Sequence, residues 1–270
     1  MRRLRALAIL LCVAASGCAI NRPPVVPDRP ATLNGHGLQL HFANAGGPST
    51  LPLLVFATGD GGMHRKDLDL YHHLDRWGYP LVGFDAHDYV KHLGPSEVTT
   101  PERLAEDYRH VIAAARDVLH LEPARPIVLV GVSRGAGLSV VAAGELRGAI
   151  AGVVAIALTR EEEYVRWRHL LPRREVMVDI EDYLPELGDL PLAVVQSTHD
   201  QYMPAADARI LLGPDTPRRW LQIVDARNHS FSDARNWMYD ATRRAISWVE
   251  TRIPNHQSSI PNHESAIPSR

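Results

Sequence analysis

The sequence is poor in cysteine and has no marked excess of one charge, and its N-terminal apolar run is short. Of its two cysteines, Cys12 lies in a segment predicted to be removed, so no intrachain disulfide is expected after processing. The formal net charge is −2 and the basic residues are scattered, so no nucleic-acid partner is expected. The run Leu7 to Ala15 is too short to cross a bilayer stably.

Two kinds of ligand site lack the residues that define them. The glycine-rich run Thr58-Gly59-Asp60-Gly61-Gly62 has neither the spacing nor the lysine of a phosphate-binding loop. The pairs of histidine and aspartate at residues 85–88 and 199–200 have no matching ligand set elsewhere in the sequence. We therefore expect neither a metal nor a cofactor.

Residues 1–18 have the pattern of a secretion signal. Three arginines precede the apolar run, and small residues then lead to a cysteine in the order Ala15-Ser16-Gly17-Cys18. This order resembles a bacterial lipobox, which predicts a periplasmic protein anchored to the inner or outer membrane through lipidated Cys18. The alternative is cleavage after Ala19, which would leave a soluble periplasmic protein.

The rest of the chain divides into a spacer, one domain and a tail. Residues 19–33 are rich in proline and predict a semi-extended linker. Residues 253–270 contain two near-copies of Ile-Pro-Asn-His among serines and predict a disordered repeat tail. Residues 34–252 remain for a single domain, a length that α/β folds often use.

Short apolar runs alternate with helical patterns along this domain. The strand-like runs are Leu38–Ala43, Leu51–Ala57, Leu81–Phe84, Pro126–Val130, Val153–Leu158, Pro191–Gln196 and Trp220–Val224. Helical patterns cover Thr100–Leu119, Ala136–Leu146 and Ala234–Glu250, and Thr99 with Glu102 predicts a capping box at the start of the first. The alternation predicts an α/β fold with a mostly parallel, doubly wound sheet and helices on both faces. Chemistry in such sheets gathers at the carboxyl ends of the strands.

A candidate nucleophile lies between one of these strands and the next helix. Gly131-Val132-Ser133-Arg134-Gly135 matches the Gly-x-Ser-x-Gly pattern, in which a sharp strand-to-helix turn exposes the serine hydroxyl. The pattern alone is weak, because short glycine motifs occur by chance, but a strand before it and a helix after it make it specific. Ser133 is therefore the predicted nucleophile of an α/β-hydrolase fold.

A serine hydroxyl needs a base to take its proton, and in this fold the partners follow in the order Ser, Asp or Glu, His. His229 comes after the last predicted strand and before the final helix, where the base is expected. Asp200 ends the preceding strand region and is the predicted orienting acid, by analogy with this fold. Asp225 and Asp233 are the alternatives.

The oxyanion of an acyl-transfer reaction needs two backbone N–H donors. One is expected at Arg134, the residue after the nucleophile. The other is expected in the loop after the strand Leu51–Ala57, from Asp60 or Gly61, where small residues allow a close approach to the substrate.

At this point the sequence resembles the AcvB/VirJ family of bacterial envelope α/β-hydrolases. The motifs that carry the resemblance are Thr58 to Gly62, Gly78 to Asp85, Thr100-Pro101-Glu102 with Asp107, and Gly131 to Ala136. The resemblance implies periplasmic hydrolysis of aminoacylated phosphatidylglycerol, and it implies a link to virulence or acid tolerance. The expected partner is then an ester substrate within a membrane phospholipid.

The residues offer their own support for an aminoacyl ester, whose ammonium group would pair with a carboxylate. Asp60, Glu161 and Glu162 follow predicted strands at the site end and are candidate substrate-binding residues. The alternative interpretation, which we slightly favour, is that residues 161–163 are the solvated start of a helix. The segment from residue 159 to 190 lies where this fold often inserts a short lid.

Two rival functions remain open. The same catalytic residues would serve a general carboxylesterase, a thioesterase or a peptidase. A non-catalytic envelope or secretion component could also keep the fold, although such a protein would have no physical reason to retain serine, acid and histidine together.

Overall fold

The computed structural model describes residues 27–33, 35–44, 50–91, 100–168 and 171–254, and within these it describes the side chains of all but residues 163–177. The signal segment with Cys18 and the repeat from residue 255 onward lie outside the described residues. Within the described part of the chain, no helix is long and apolar enough to cross a membrane.

In the described part of the chain, ten strands form an eight-stranded sheet and a separate hairpin. The strands are β1 Arg29–Leu33, β2 His36–Ala43, β3 Leu53–Ala57, β4 Leu81–Phe84, β5 Ile127–Val132, β6 Gly152–Ile156, β7 Glu161–Arg168, β8 Leu171–Asp179, β9 Leu192–Ser197 and β10 Arg219–Val224. The sheet has the order β1-β2-β4-β3-β5-β6-β9-β10, and all neighbours from β4 to β10 run parallel. This arrangement confirms the predicted mostly parallel sheet of the α/β-hydrolase fold.

Burial explains why the strand runs have the composition they do. The central strands β3, β4 and β6 are buried at every position, which requires continuous apolar sequence because helices cover both faces. Strand β2, which lies next to the edge strand, places its buried side chains at alternate positions, as a half-covered strand should.

Seven α-helices among the described residues complete the layers. They are α1 Arg65–Arg76, α2 Ala86–Lys91, α3 Pro101–Val118, α4 Arg134–Glu145, α5 Ile180–Tyr183, α6 Ala205–Leu212 and α7 Arg235–Glu250. Buried residues of α3 and α4 join one core cluster, and those of α1 and α7 join a second cluster on the other face of the sheet. The predicted doubly wound arrangement follows from these two cores.

Two local predictions were wrong, one about the end of the linker and one about the cap of α3. Residues 29–33, assigned to the proline-rich linker, form the edge strand β1 paired antiparallel with β2. Pro30 is tolerated there because an edge strand needs N–H donors on one side only. The helix α3 is capped by Thr100, whose hydroxyl accepts the N–H of Arg103 at 3.3 Å, and not by the predicted Thr99.

The insertion between β6 and β9 is a β-hairpin. Strands β7 and β8 pair antiparallel from Glu161 opposite Asp179 to the tip, and α5 follows directly. Residues 161–163 therefore begin a strand, and their interpretation as a helix start was wrong. The hairpin rises from the carboxyl end of β6, next to the strand that leads to Ser133.

Candidate active site

Ser133 lies on a strained turn between β5 and α4. Its φ of 50° and ψ of −116° are values that side-chain-bearing residues seldom adopt. A Cβ on Gly131 would lie 2.2 Å from the carbonyl oxygen of Gly135, and a Cβ on Gly135 would lie 2.2 Å from that of Ala57. Both glycines are thus required by the close approach of α4 to β5 and β3. The turn holds the serine side chain out from the sheet edge.

The structure brings the three predicted triad residues into one chain of contacts. His229 Nε2 lies 2.7 Å from Ser133 Oγ, and His229 Nδ1 lies 2.7 Å from Asp200 Oδ2. With Nδ1–H donating to the carboxylate, Nε2 is free to accept the serine hydroxyl. The backbone N–H of His229 also donates to the side-chain oxygen of Gln201 at 3.1 Å, which fixes the histidine loop.

Asp200 is 1% exposed and fully occupied by donors. Its Oδ1 accepts the N–H groups of Tyr202 at 2.8 Å and Met203 at 3.3 Å, and its Oδ2 accepts Gln196 Nε2 at 3.0 Å besides the histidine. These donors satisfy both oxygens of the buried carboxylate and fix its orientation toward His229. Tyr202 places its ring edge-on to His229, with centroids 4.8 Å apart, and is 64% exposed at the rim of the site.

The two alternative acids lie elsewhere. Asp233 accepts the N–H of Arg227 at 3.1 Å and pairs with the side chain of the same arginine at 3.5 Å. Asp225 is exposed at the end of β10. Neither contact set includes His229, so the geometry selects Asp200 as its carboxylate partner.

Two half-buried carboxylates hold the loop after β3 against the nucleophile. Asp67 Oδ2 accepts the N–H of Gly59 at 2.7 Å, and Asp85 Oδ2 accepts the N–H of Met63 at 2.9 Å. A Cβ on Gly59 would lie 3.3 Å from Ser133 Cβ, so this loop passes directly beside the serine. Burial raises the pKa of Asp67 to about 6, against the opposing effect of the Gly59 N–H. Sequence reasoning missed Asp67, because nothing local marks a helix carboxylate as a loop anchor.

The N–H groups suited to an oxyanion are those left without an acceptor. Gly59 is already bonded to Asp67, whereas the N–H groups of Asp60, Gly61 and Arg134 donate to no acceptor among the described residues. These are the three donors that the sequence predicted. Their use by a bound carbonyl remains a prediction.

The side chain of Asp60 is not the free carboxylate that we expected. Arg134 Nε donates to Asp60 Oδ1, and His87 Nδ1 lies 3.8 Å from the same oxygen. Arg134 is only 13% exposed, whereas Asp60 is 62% exposed. The pair joins residues 74 positions apart, so no local sequence pattern indicates it.

A cavity of about 790 Å³ opens over Ser133 and His229. Glu161 and Glu162 line it, as does Thr159, whose hydroxyl donates to Glu162 Oε1 at 2.6 Å. Glu162 is 4% exposed, and its side chain fills the space that a Cβ on Gly137 would need. Burial raises the pKa of Glu162 to about 7, although the Thr159 hydrogen bond and the charges of Arg134 and His229 oppose the rise.

Sequence and structure comparisons show which known proteins this chain resembles. Residues 52–167 match the VirJ family of bacterial virulence proteins. The VirJ match confirms the predicted resemblance and runs from the start of β3 into β7, so it contains Ser133 and the Asp60 loop. Asp200 and His229 lie beyond it. None of the curated proteins compared with the chain matches it significantly.

Several solved structures share the fold of this VirJ-matching chain. Est1E from Butyrivibrio proteoclasticus has a TM-score of 0.61 at 14% identity, over 80% of this chain and 96% of its own. The esterase domain of a Rhodothermus marinus protein has a TM-score of 0.60 at 17% identity, over 84% and 98%. An alpha-beta serine hydrolase homologue from Coxiella burnetii has a TM-score of 0.56 at 15% identity, over 81% and 96%. At these identities the similarity shows the α/β-hydrolase fold alone.

Proposed function

We propose that this protein is a serine hydrolase that cleaves carboxylic esters. The observation that carries the proposal is the unbroken chain of contacts from Asp200 through His229 to Ser133. The serine lies on the strained turn between β5 and α4, at the floor of a cavity. The esterase and serine hydrolase names of structural neighbours support the same chemistry.

In the proposed reaction, Ser133 Oγ bonds to the ester carbonyl carbon while His229 Nε2 takes the hydroxyl proton. The carbonyl oxygen becomes an oxyanion, which the N–H groups of Arg134 and of Asp60 or Gly61 would stabilise. His229 then returns the proton to the departing alcohol, leaving an acyl-serine. Water, deprotonated by His229, hydrolyses this ester, and Asp200 stabilises the imidazolium in both halves.

The substitution Ser133→Ala tests this proposal. It should lower turnover of a short-chain ester by on the order of 10⁶ and abolish labelling by a fluorophosphonate probe, since residues of a triad act as a unit. Ser230→Ala is the matched control, because Ser230 is exposed, lines the same cavity and neighbours His229. A Ser133→Ala protein that is folded and keeps more than a few per cent of the activity would exclude Ser133 as the nucleophile.

We further propose that the acyl group carries an ammonium, as in the aminoacylated phosphatidylglycerol that the family resemblance implies. Glu162 is the better candidate partner for the ammonium than Asp60, because Arg134 already neutralises Asp60. Glu162 lies buried in the cavity wall with only Thr159 donating to it among the described residues. A cation placed beside this carboxylate would favour its ionised form and form charge-assisted hydrogen bonds.

Two matched esters separate this substrate from a general ester. The glyceryl ester of alanine should be hydrolysed with a kcat/KM at least about tenfold above that of its N-acetyl counterpart, because truncating one partner of a buried charge pair costs about 2–5 kcal/mol. Glu162→Gln should shrink this preference and keep the Thr159 hydrogen bond, whereas Asp60→Asn should change it less. Equal rates on the two esters would exclude the aminoacyl substrate and leave a general carboxylesterase.

The envelope location is also a proposal. It depends on the lipobox-like order ending at Cys18, and a lipid anchor there would hold the domain near phospholipid substrates.

A further inference from the structure

Five arginine and lysine side chains of the described residues line the cavity, and they fall into two groups. Arg134 pairs with Asp60, and Arg160 pairs with Glu181 at 3.2 Å. The other three line the cavity without a salt bridge to any acid of the described chain; they are Arg65, Lys66 and Arg235. Arg134 and Arg160 lie beside the hairpin, whereas the three cations without a salt bridge come from the first turns of α1 and α7.

The unpaired cations and the hairpin carboxylate Glu162 lie on opposite faces of the sheet. Helices α1 and α7 pack in the core cluster that contains Leu70 and Met238, and both of these residues also line the cavity. Glu162 packs against Gly137 of α4, which belongs to the other face. Ser133 projects between the two faces, so a substrate bound there meets Glu162 on one side and the three unpaired cations on the other.

One cavity-lining acid on this side, Asp67, offsets only part of the charge of the three cations. Asp67 is the cavity-lining carboxylate on α1, and its charge interactions with Arg235 and Lys66 are favourable. One of its oxygens is taken by the Gly59 N–H, and burial raises its pKa to about 6. Arg65 adopts a φ of 39°, an uncommon left-handed value that places the first residue of α1 at the cavity edge. The first turn of a helix adds a partial positive charge there.

We infer that Arg65, Lys66 and Arg235 form a subsite for a phosphate-class anion carried by the ester substrate, on the side of Ser133 away from Glu162. This inference rests on the proposed hydrolase function and adds a second recognition element to it. Guanidinium and ammonium groups are the side chains that proteins use for phosphate, because they supply charge-assisted hydrogen bonds. The cavity would then select esters whose alcohol bears the anion.

Two esters with the same acyl group test the subsite without requiring an ammonium. We expect 1-butyrylglycerol 3-phosphate to have a kcat/KM at least about tenfold above that of 1-butyrylglycerol at low salt, and the preference should shrink as ionic strength rises. Arg65→Gln, Lys66→Gln and Arg235→Gln should each reduce the preference by about threefold, in line with exposed ion pairs. The triple variant should remove it and leave hydrolysis of 1-butyrylglycerol unchanged.

Arg76→Gln and Arg244→Gln are the matched controls, since they remove the same charge from the far parts of α1 and α7, where neither residue lines the cavity. Equal kcat/KM values for the two esters, with turnover intact, would overturn the subsite and leave the hydrolase proposal standing. Inhibition by inorganic phosphate without a preference between the esters would overturn its assignment to the substrate. Failure of the wild type to hydrolyse either ester or to take the fluorophosphonate label would remove both proposals.

Discussion

The substitution Asp200→Asn changes the chemistry of the acid while almost preserving its shape. In the structure, Oδ1 of Asp200 accepts two backbone N–H groups, from Tyr202 and Met203. Its Oδ2 faces the ring of His229 and the amide of Gln196. An asparagine must keep its oxygen toward the two backbone donors, because its NH₂ group cannot accept them. The NH₂ group therefore faces His229.

This orientation forces the wrong tautomer on the histidine. With a donor against Nδ1, the ring carries its proton on Nε2, which then points at Ser133 Oγ and cannot accept the hydroxyl proton. The imidazolium also loses its counter-charge. A substitution of this kind in a serine triad lowers kcat by about 10⁴, or about 5 kcal/mol of transition-state stabilisation. The side-chain N–H of Gln196 would also face an NH₂ group instead of an acceptor. Loss of this buried hydrogen bond should lower the free energy of unfolding by about 1–3 kcal/mol.

The assay is kcat on a neutral short-chain ester together with the rate of fluorophosphonate labelling. Asp233→Asn is the matched control, because it disturbs only the surface pair with Arg227 and should change kcat by less than about threefold. Asp225→Asn, at an exposed residue, should behave like the control. A larger loss in either of these variants than in Asp200→Asn would refute the assignment of the acid.

Three further predictions concern the turn at Ser133, the pH dependence of stability and the lipidation of Cys18. Gly135→Ala should lower both activity and the free energy of unfolding, the latter by about 1–3 kcal/mol, whereas Gly148→Ala, with open space around it, should not. Burial raises the pKa of Glu162 to about 7, so between pH 4.5 and 7 the folded protein binds a proton that the unfolded chain has released. The free energy of unfolding should therefore fall as pH rises from 5 to 7. Urea titrations should show a shallower fall for Glu162→Gln than for the wild type. Labelling with a fatty-acid analogue should tag the wild type and not Cys18→Ser; an untagged wild type would favour cleavage after Ala19.

The fold was predictable wherever burial leaves a local pattern. Strands covered on both faces need continuous apolar sequence, so β3, β4 and β9 were predicted to within a few residues. Helix α1 was not predicted, because its exposed face is rich in histidine and charge and its buried contribution is only Leu70, Tyr71 and Leu74. The edge strand β1 was hidden by prolines that usually indicate a linker.

The residues of the candidate site were predictable where their order along the chain identifies them. They were not predictable where they depend on contacts between distant parts of the chain. Ser133, Asp200 and His229 follow the order that this fold imposes, and the structure brings them into contact. The pairing of Arg134 with Asp60 and the hold of Asp67 on Gly59 depend on tertiary packing. Sequence reasoning accordingly named Asp60 as a free carboxylate and overlooked its partner.

The hairpin of β7 and β8 leaves and rejoins the body of the protein at almost the same place. The N–H of Ile180, just after the hairpin, donates to the carbonyl of Arg160, just before it, at 2.8 Å. A segment closed at its base in this way can change in length or sequence at a small cost in chain entropy, since loop-closure entropy grows slowly with loop length. The hairpin that carries Glu161 and Glu162 can thus vary separately from the residues proposed to break the ester, which lie in the loops that follow β5, β9 and β10. Relatives with other hairpins could keep one reaction and differ in the acyl groups they accept.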